Sequence, residues 1–298
     1  MRNIAIFGRN IHDNFIQHLL QIMQKLQDSH IEIWLERNII EFLKDKGDTV
    51  SFKGEFNETN LKTINPELLL CIGGDGTFLD AIAFIIGTEI PILGINNGRM
   101  GFLANISCAN LEKNLEDIVN KNYKIQHRDL LTLEVNGQKI KDLNYALNEV
   151  SILKSEKSSL LTIKTYLGND YLTDYWADGI VIATPTGSTA YSLSGGGPIL
   201  CPQCKNIIIT PISPHNLSIR PLVLPNNVEI SIEVECRSDF FMLSTDSKIK
   251  KMPKDCKIKI FNAPFSVKTV KLNGSNFYKT LREKLRWGED FRNKNNNF

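Results

Sequence analysis

The sequence predicts a two-domain protein, in which an α/β domain with an open, mostly parallel sheet precedes an all-β, sandwich-like domain. The 298 residues suffice for about two domains of typical size. Apolar strand-like and helix-like segments alternate over the first hundred residues, which is typical of a parallel sheet. From about residue 124, short strand-like runs follow one another at close spacing. We therefore assign residues 1–123 to the first domain and 124–272 to the second.

The first domain is predicted to contain four buried strands connected by helices. The strands are short apolar runs at residues 4–8, 31–35, 68–72 and 91–95. Helices are predicted at 15–26, around 39–43 and at 78–86, and the apolar residues of the first lie on one helix face. Ligands of such sheets bind beyond the carboxyl ends of the strands. The loops at 73–76 and 96–103 are therefore expected at the ligand-binding edge.

The second domain is predicted to consist of many short strands. The run at 131–135 is followed by Asn136-Gly137, a strong signal for a type I′ hairpin turn. Further strands are predicted at 160–166, 180–183, 207–209, 228–234, 240–243, 257–261 and 265–272. A helix is predicted over 277–285, and the polar tail at 293–298 is expected to be frayed.

Composition and charge argue against several classes of partner. The formal net charge of +2 leaves no global electrostatic footprint for nucleic acid or membranes. The six cysteines lie mostly in apolar contexts, as reduced cytosolic cysteines do, and Cys201 and Cys204 lack a second pair at zinc-ligand spacing. The first residues contain no signal-peptide pattern, and no apolar run is long enough for a membrane span. We expect a cytoplasmic protein without a protein-built metal site.

The most informative stretch is residues 68–79, an apolar run that leads into Gly73-Gly74-Asp75-Gly76. Glycines allow backbone N–H groups to approach an anion, and the following helix would direct its N-terminus at that anion. A carboxylate is unfavourable in a turn that only binds phosphate, so Asp75 is predicted to act as a proton acceptor or as a ligand of a bridging metal. The structural alternative is that Asp75 caps the helix.

A second glycine-rich stretch covers residues 178–198. A strand there ends in Thr-Pro-Thr-Gly-Ser-Thr, and a short helix is predicted to begin near Thr189. The many hydroxyl groups and accessible amides favour a site for a hydroxyl- and phosphate-rich ligand, although capping Ser and Thr side chains are common in ordinary turns. The sequence contains neither the P-loop nor the Gly-x-Gly-x-x-Gly fingerprint.

Both glycine-rich stretches, taken with residues 94–103, 148–150 and 214–223, closely resemble the NAD kinase family. Gly-Gly-Asp-Gly alone is shared with diacylglycerol kinases and phosphofructokinases, whereas the long segment from Asp178 to Leu200 is more specific. The resemblance implies phosphorylation of the 2′-hydroxyl on the adenosine ribose of NAD by ATP, which gives NADP. It also implies an α/β domain, a β-sandwich domain, a segment at 273–298 that packs back on the first domain, and a homo-oligomer, either a dimer or a tetramer.

The same resemblance assigns roles to individual residues. Asp75 would be the proton acceptor and would lie with Gly76 against the dinucleotide. Further dinucleotide contacts are implied for Asn148, Glu149, Asp178, Thr189, Ala190, Tyr191, Ser192, Leu193 and Ser194, with weaker matches at Ser159, Trp176 and Lys248. Some bacterial relatives carry a basic residue where Trp176 stands. Mg²⁺ or another divalent metal would be bound mainly through ATP and water.

Two other functions remain open on the sequence alone. A lipid or sugar kinase would use the same Gly-Gly-Asp-Gly loop, although the sequence shows no basic amphipathic helix for a membrane surface. A non-catalytic dinucleotide sensor would retain the binding pocket without turnover. Binding of NAD without consumption of ATP would distinguish the sensor from the kinase.

Overall fold

The structure, a computed structural model, describes residues 1–9, 11–48, 50–98, 100–108, 111–155 and 159–288. The predicted frayed tail at 293–298 lies outside the described residues. This part of the chain divides into two compact units. The first comprises Met1–Gln126 and the chain from Lys268 onward, and the second comprises His127–Val267. Among the described helices, none is both long and apolar enough to cross a membrane.

The first unit begins with alternating strands and helices, as predicted. These elements are β1 (Asn3–Gly8), α1 (Ile16–Asp28), β2 (Glu32–Glu36), α2 (Arg37–Asp45), β3 (Gly54–Phe56), α3 (Leu61–Ile64), β4 (Leu69–Ile72), α4 (Asp75–Ile85), β5 (Ile92–Ile95) and α5 (Leu111–Val119). Strands β5, β4, β1, β2 and β3 lie side by side in that order, and all their pairings are parallel. The carboxyl ends of β1 and β4 are therefore adjacent.

The strands of this sheet could be predicted from apolar runs in the sequence because most of their residues are buried. All four residues of β4 and of β5 are buried, as is expected for strands covered on both faces. Helix α1 buries one face, formed by Leu19, Ile22, Met23 and Leu26, against this sheet's core. Strand β3 was not predicted, because its three residues contain only one buried side chain, Phe56.

The second unit is built from β-strands. Its elements are β6 (Tyr123–Val135), β7 (Tyr145–Ala146), β8 (Glu149–Leu153), β9 (Leu161–Leu167), β10 (Asp170–Ala177), β11 (Gly179–Ala183), α6 (Tyr191–Ser194), β12 (Asn206–Ile212), β13 (Leu222–Pro225), β14 (Ile230–Glu235), β15 (Phe240–Thr245), β16 (Lys248–Pro253) and β17 (Lys257–Leu272), of which β6 begins and β17 ends in the first unit. Helix α7 (Phe277–Leu285) follows and belongs to the first unit.

Two antiparallel layers enclose the core of the second unit. One layer has the order β13-β12-β11-β8-β15-β16, and the other has β10-β9-β14-β17, with β6 paired to β17. Side chains such as Ile152, Ile163, Ile180 and Phe241 fill the core. The predicted fold class, an α/β domain and a β-sandwich-like domain with a C-terminal helix, is thus confirmed.

Several local predictions are refined by the structure. Asn136 and Gly137 both have positive φ, 51° and 74°, as a type I′ turn requires. The strands predicted at 257–261 and 265–272 are one continuous strand, β17. Instead of one helix near Thr189, a 3-10 turn at Gly187–Thr189 precedes α6. None of the six cysteines, all of which are among the described residues, forms a disulfide.

Candidate active site

Asp75 lies at the first residue of α4, directly after the turn that follows β4. Gly73 in this turn has a φ of +154°, and a Cβ there would lie 2.4 Å from Thr77 Oγ1. A residue with a side chain would therefore be strained and would collide with α4. The glycine fixes how the chain turns from β4 into α4, and Asp75 is placed half-buried at the carboxyl edge of the parallel sheet.

The Asp75 carboxylate accepts hydrogen bonds from three successive backbone amides. Phe102 N–H donates to Oδ2 at 2.9 Å, and the amides of Leu103 and Ala104 donate to Oδ1 at 2.9 and 3.0 Å. We call residues 100–104 the amide loop. The carboxylate is thus bound to the loop that follows β5, and not to the first turn of its own helix. These bonds fix the orientation of the carboxylate.

The amide loop approaches Asp75 closely because residue 101 is glycine. A Cβ at Gly101 would lie 1.9 Å from Asp75 Oδ1. The loop is closed by Gly101 N–H, which donates to Ala104 O at 2.9 Å. The buried Asn96 side chain accepts from Gly98 N–H at 2.6 Å and donates to Ala104 O at 3.3 Å. The loop is therefore braced on both sides of the residues that bind the carboxylate.

Gly74 and Gly76 are in a different situation from Gly101. A Cβ at either position would meet no protein atom within 4 Å, and Gly76 is exposed. The protein itself does not require the absence of a side chain at these two positions. The space beside Asp75 is therefore open to a ligand that approaches the backbone.

A second polar cluster lies in the second unit, where Asp246 binds the start of β8. Asp246 Oδ1 accepts from the amides of Asn148 and Glu149 at 2.8 and 3.1 Å, and Oδ2 accepts from Leu147 N–H at 2.9 Å. Asp246 N–H in turn donates to Glu149 O at 3.0 Å. Asp246 lies in the turn between β15 and β16 and has a φ of +50°. This one side chain holds the backbone of both predicted dinucleotide contacts.

Glu149 carries the most unusual carboxyl group of this cluster. It is 8% exposed, and its Oε2 atom is buried without a hydrogen-bond partner. Burial, followed by the charge of Asp246, raises the pKa of Glu149 to about 8, and the backbone N–H of Tyr191 acts in the opposite direction. Burial also raises the pKa of Asp246 to about 6, opposed by its amide bonds and by the charge of Lys248. An unsatisfied buried oxygen is costly, and a ligand that donates to it would remove that cost.

The segment after β11 packs tightly against the same backbone. Thr184 N–H donates to Asn148 O at 2.9 Å, and the Thr184 hydroxyl donates to Leu147 O at 2.6 Å. A Cβ at Gly187 would lie 2.1 Å from Asn148 O, so only glycine fits against this carbonyl. The structure therefore brings Asn148, Glu149 and the Thr-Pro-Thr-Gly-Ser-Thr segment together, although 35 or more residues of sequence separate them.

The residues predicted at 189–194 have different local surroundings. The Ser192 hydroxyl is fully buried and bonded to Thr210 Oγ1 at 2.8 Å, so this side chain belongs to the packing of α6 on β12. The Thr189 hydroxyl donates to Thr186 O at 3.3 Å, and Ala190 N–H donates to Gly187 O. Tyr191 and Leu193 are half-buried, whereas Ser194 is exposed.

The four remaining predicted contacts lie elsewhere in the second unit. Asp178 forms an ion pair with Lys154 at 2.6 Å. Ser159 and Trp176 line the same cavity of about 470 Å³, and the exposed Trp176 ring packs edge-on against His215. Lys248 is exposed at the start of β16, two residues after Asp246.

The sequence interpretation missed Asp246 and the three amides of the amide loop. The amides carry no side-chain signal, and Asp246 lies 97 to 99 residues away from its partners. A signal that could have indicated Asp246 is a lone acidic residue in a tight turn between two strands, followed closely by the predicted Lys248.

Comparisons with known proteins agree on one family. The model described as the ATP-NAD kinase N-terminal domain matches residues 4–123, and the model of the ATP-NAD kinase C-terminal domain matches residues 147–272. An NAD kinase of Flavobacterium johnsoniae is 42% identical over 97% of this chain and 99% of its own length. An NAD kinase of Bacteroides fragilis is 40% identical over the same shares.

Solved structures show the same fold at lower sequence identity. Yeast NADH kinase complexed with NADH has a TM-score of 0.86 at 23% identity, covering 98% of this chain and 89% of that chain. An NAD kinase from Archaeoglobus fulgidus in complex with ATP has a TM-score of 0.73 at 23% identity, covering 96% of this chain and 99% of that chain.

Proposed function

This chain belongs to the NAD kinase family, and on that premise we propose that it transfers the γ-phosphoryl group of ATP to the 2′-hydroxyl on the adenosine ribose of NAD, giving NADP and ADP. It is accordingly a phosphotransferase with an alcohol group as acceptor. We assign the chemistry to Asp75 because of the geometry of its carboxylate. Three backbone amides hold this carboxylate beside the open space at Gly76.

Asp75 is proposed to accept the proton of the 2′-hydroxyl. The ribose oxygen forms a bond to the γ-phosphorus, the bond from that phosphorus to the β,γ-bridging oxygen breaks, and the hydroxyl proton moves to the carboxylate. Oδ1 already accepts two amides, whereas Oδ2 accepts one. A carboxylate oxygen has room for a second hydrogen bond. Oδ2 is therefore the atom that we assign to the proton transfer.

The cluster around Glu149 is proposed to bind the dinucleotide. With a pKa of about 8, most Glu149 carboxyl groups are protonated at pH 7. A protonated carboxyl can donate one hydrogen bond and accept others, which suits hydroxyl and amide groups of a ligand. The unpartnered Oε2 supports this role. Asn148 would contribute beside it, with its backbone held by Asp246.

The remaining predicted contacts are proposals of the same kind. Gly76 would lie against the dinucleotide together with Asp75. The other proposed contacts are Ser159, Trp176, Asp178, Thr189, Ala190, Tyr191, Ser192, Leu193, Ser194 and Lys248. For Ser192 we assign the contact to the backbone, because its hydroxyl is bonded to Thr210. The Asp178 side chain is partly exposed, and its Oδ1 atom is paired with Lys154.

A divalent metal, Mg²⁺ in the simplest case, is proposed to arrive with ATP. Within the described ranges, no three His, Cys, Asp or Glu side chains gather as a metal cage. Mg²⁺ commonly keeps several waters and binds substrate phosphates, so the donor set does not require such a cage. We also propose a cytoplasmic homo-oligomer, a dimer or a tetramer, which light scattering of the purified protein would test.

The decisive experiment compares the wild type with Asp75→Asn in an assay with NAD, ATP and Mg²⁺, in which an NADP-specific dehydrogenase detects the product. We expect time-dependent NADP from the wild type and turnover reduced by about 10²- to 10⁴-fold in Asp75→Asn, the range for loss of a general base. The variant should still fold and bind NAD, although its side-chain NH2 group cannot replace the oxygen that accepts from Phe102 N–H. Unchanged turnover would remove Asp75 from the mechanism.

Asp80→Asn is the matched control, because Asp80 lies on the same helix and pairs with Arg9 at 2.8 Å. We expect turnover close to that of the wild type. A wild-type protein that binds NAD but forms no NADP with ATP or polyphosphate would instead be a dinucleotide sensor. Absence of NAD binding would favour a lipid or sugar kinase.

A further inference from the structure

Helix α7 contacts the amide loop through Lys284. The Lys284 ammonium group donates to Met100 O at 3.0 Å and lies 5.8 Å from the centre of the Phe102 ring. Such a distance permits a cation–π attraction in addition to the hydrogen bond. Met100 and Phe102 immediately precede and follow Gly101, the residue that abuts Asp75. One side chain of α7 thus restrains the loop on both sides of this contact.

A second residue of α7 supports the same loop. The rings of Phe277 and Phe102 are tilted by 45°, with their centres 6.3 Å apart. Phe277 and Lys284 are seven residues apart and therefore lie on one face of the helix. The face of α7 that carries these two residues is the face that contacts the amide loop.

Phe102 connects helix α7 to the Asp75 carboxylate. Phe102 contacts both Phe277 and Lys284 through its ring, and its own N–H donates to Asp75 Oδ2. A shift of Phe102 therefore moves the amide that orients the oxygen to which we assign the proton transfer. Small displacements of a reacting group are expensive in rate, because the reacting atoms must lie within a narrow range of distance and direction.

Helix α7 has the local features of a defined element. Asn276 caps its N-terminus by accepting from Tyr278 N–H at 2.9 Å, and Thr280 is 7% exposed. Arg286, with a φ of +51°, ends it. A helix of nine residues is marginal on its own in water. Its contacts with the rest of the first unit must contribute to its stability.

We propose that Lys284 is a positioning residue for Asp75, acting through Met100 and Phe102 of the amide loop. This role rests on the proposed function of Asp75 in phosphoryl transfer. The hydrogen bond and the ring contact keep the loop amides in the arrangement that directs Asp75 Oδ2. Lys284 itself does not touch the carboxylate.

The test uses Lys284→Met in the full chain, since methionine keeps a long apolar side chain but removes the ammonium group. We expect kcat to fall about threefold to tenfold, in keeping with loss of a hydrogen bond that only orients a reacting group, while KM for NAD and for ATP stays unchanged. Lys284→Arg, which can donate to the same carbonyl and lie over the same ring, should restore most of kcat. Lys279→Met, on the same helix, should behave as wild type.

Two further measurements separate positioning from a merely structural role. In the Asp75→Asn background, Lys284→Met should leave the residual kcat unchanged, because the group that Lys284 positions is already lost. Amide hydrogen exchange at Phe102, Leu103 and Ala104 should be faster in Lys284→Met, whether or not the protein forms NADP. Unchanged exchange at these amides, or an additive loss of kcat in the double variant, would overturn the proposal. Failure of the wild type to form NADP would overturn only the proposed function.

Discussion

At the scale of single residues, two glycines near Asp75 differ in what an added side chain would meet. Gly101 is required by the protein, because a Cβ would occupy the position of Asp75 Oδ1. Gly76 has no such neighbour, since a Cβ there would meet no protein atom within 4 Å. Its small size is explained if a substrate approaches the backbone at this point. Folding accounts for the glycine at position 101, and we propose that ligand binding accounts for the glycine at position 76.

Gly76→Ala is expected to fold at least as stably as the wild type but to lose activity. Alanine in the first turn of α4 should add up to about 1 kcal/mol to the free energy of unfolding. Its methyl group would occupy space needed by the dinucleotide, so we expect kcat/KM to fall at least about tenfold. Thermal unfolding and steady-state kinetics measure the two effects. Gly101→Ala is the contrasting variant and should lose both stability and turnover. Wild-type kcat/KM in Gly76→Ala would show that no ligand contacts this position.

Glu149 and Asp246 show which residues of the candidate site a sequence can indicate. Glu149 follows Asn148 in a recognisable segment, so the resemblance to known kinases indicated it. Asp246 was not indicated, because its role depends on three backbone amides almost a hundred residues away. A side chain that acts on distant backbone leaves no periodicity or local spacing in the sequence. The three amides that bind Asp75 were hidden for the same reason.

At the scale of secondary-structure elements, the strands that were predicted are those with a continuous or alternating apolar pattern. Strands β4, β5 and β11 are buried throughout and read as apolar runs. Strand β16, with the sequence KIKKMP, and strand β10, with DYLTDYWA, were missed because neither has a continuous or alternating pattern of buried apolar residues. Both are outer strands in the order of their layers, where only one neighbour pairs with the strand. These two segments are strands because their backbones pair with a neighbouring strand, and the side-chain pattern does not encode that pairing.

The 3-10 turn at Gly187–Thr189 is positioned by its contact with the start of β8, which leads to a prediction for Gly187→Val. A Cβ would lie 2.1 Å from Asn148 O, a backbone atom that cannot turn away. The turn or the Asn148 backbone must shift, so we expect the dissociation constant for NAD to rise at least about tenfold, or by about 1.4 kcal/mol. Isothermal titration with NAD measures this change.

Gly196→Ala is the control for loss of a glycine in the same segment. Gly196 has a φ of +83°, but nothing lies within 4 Å of an added Cβ. The variant should lose some stability through backbone strain while it keeps its affinity for NAD. If Gly187→Val binds NAD as the wild type does, the turn has only a structural role.

At the scale of the whole molecule, the buried Glu149 carboxyl makes stability depend on pH. Its pKa is about 8 in the folded protein against 4.5 as the ordinary value, so the folded state binds this proton more tightly. The resulting stabilisation is complete below about pH 4.5 and is lost as pH rises through about 8. Asp246, with its pKa raised to about 6, adds to the loss in the lower part of this range. Alkaline conditions therefore weaken the fold through this pair.

Glu149→Gln is expected to abolish most of this loss. The neutral amide keeps the shape of the side chain but has no proton to release, so the variant should unfold at a higher temperature than the wild type at pH 8.5 and not at pH 5. Thermal scans at both pH values measure the difference. Glu229→Gln, which removes a more exposed carboxylate of the same unit, should change the unfolding temperature similarly at both values. An equal effect of Glu149→Gln at both pH values would contradict the raised pKa.

The first unit is interrupted by the second and resumes only at Lys268. During synthesis, the first unit therefore begins to form before the second unit but can be completed only after the second unit has been translated. The ribosome releases β1 to β5 first, yet Ile92 of β5 pairs with Thr269 of β17 on the side away from β4. All of residues 127–267 must be translated before that partner exists. Until then Ile92 lacks its partner at this edge of the nascent sheet, where only the bridge from Ile95 to Ile106 can form, and an incompletely paired edge invites mispairing with other chains. The later unit is contiguous and can finish folding while the earlier one still waits for its last strand.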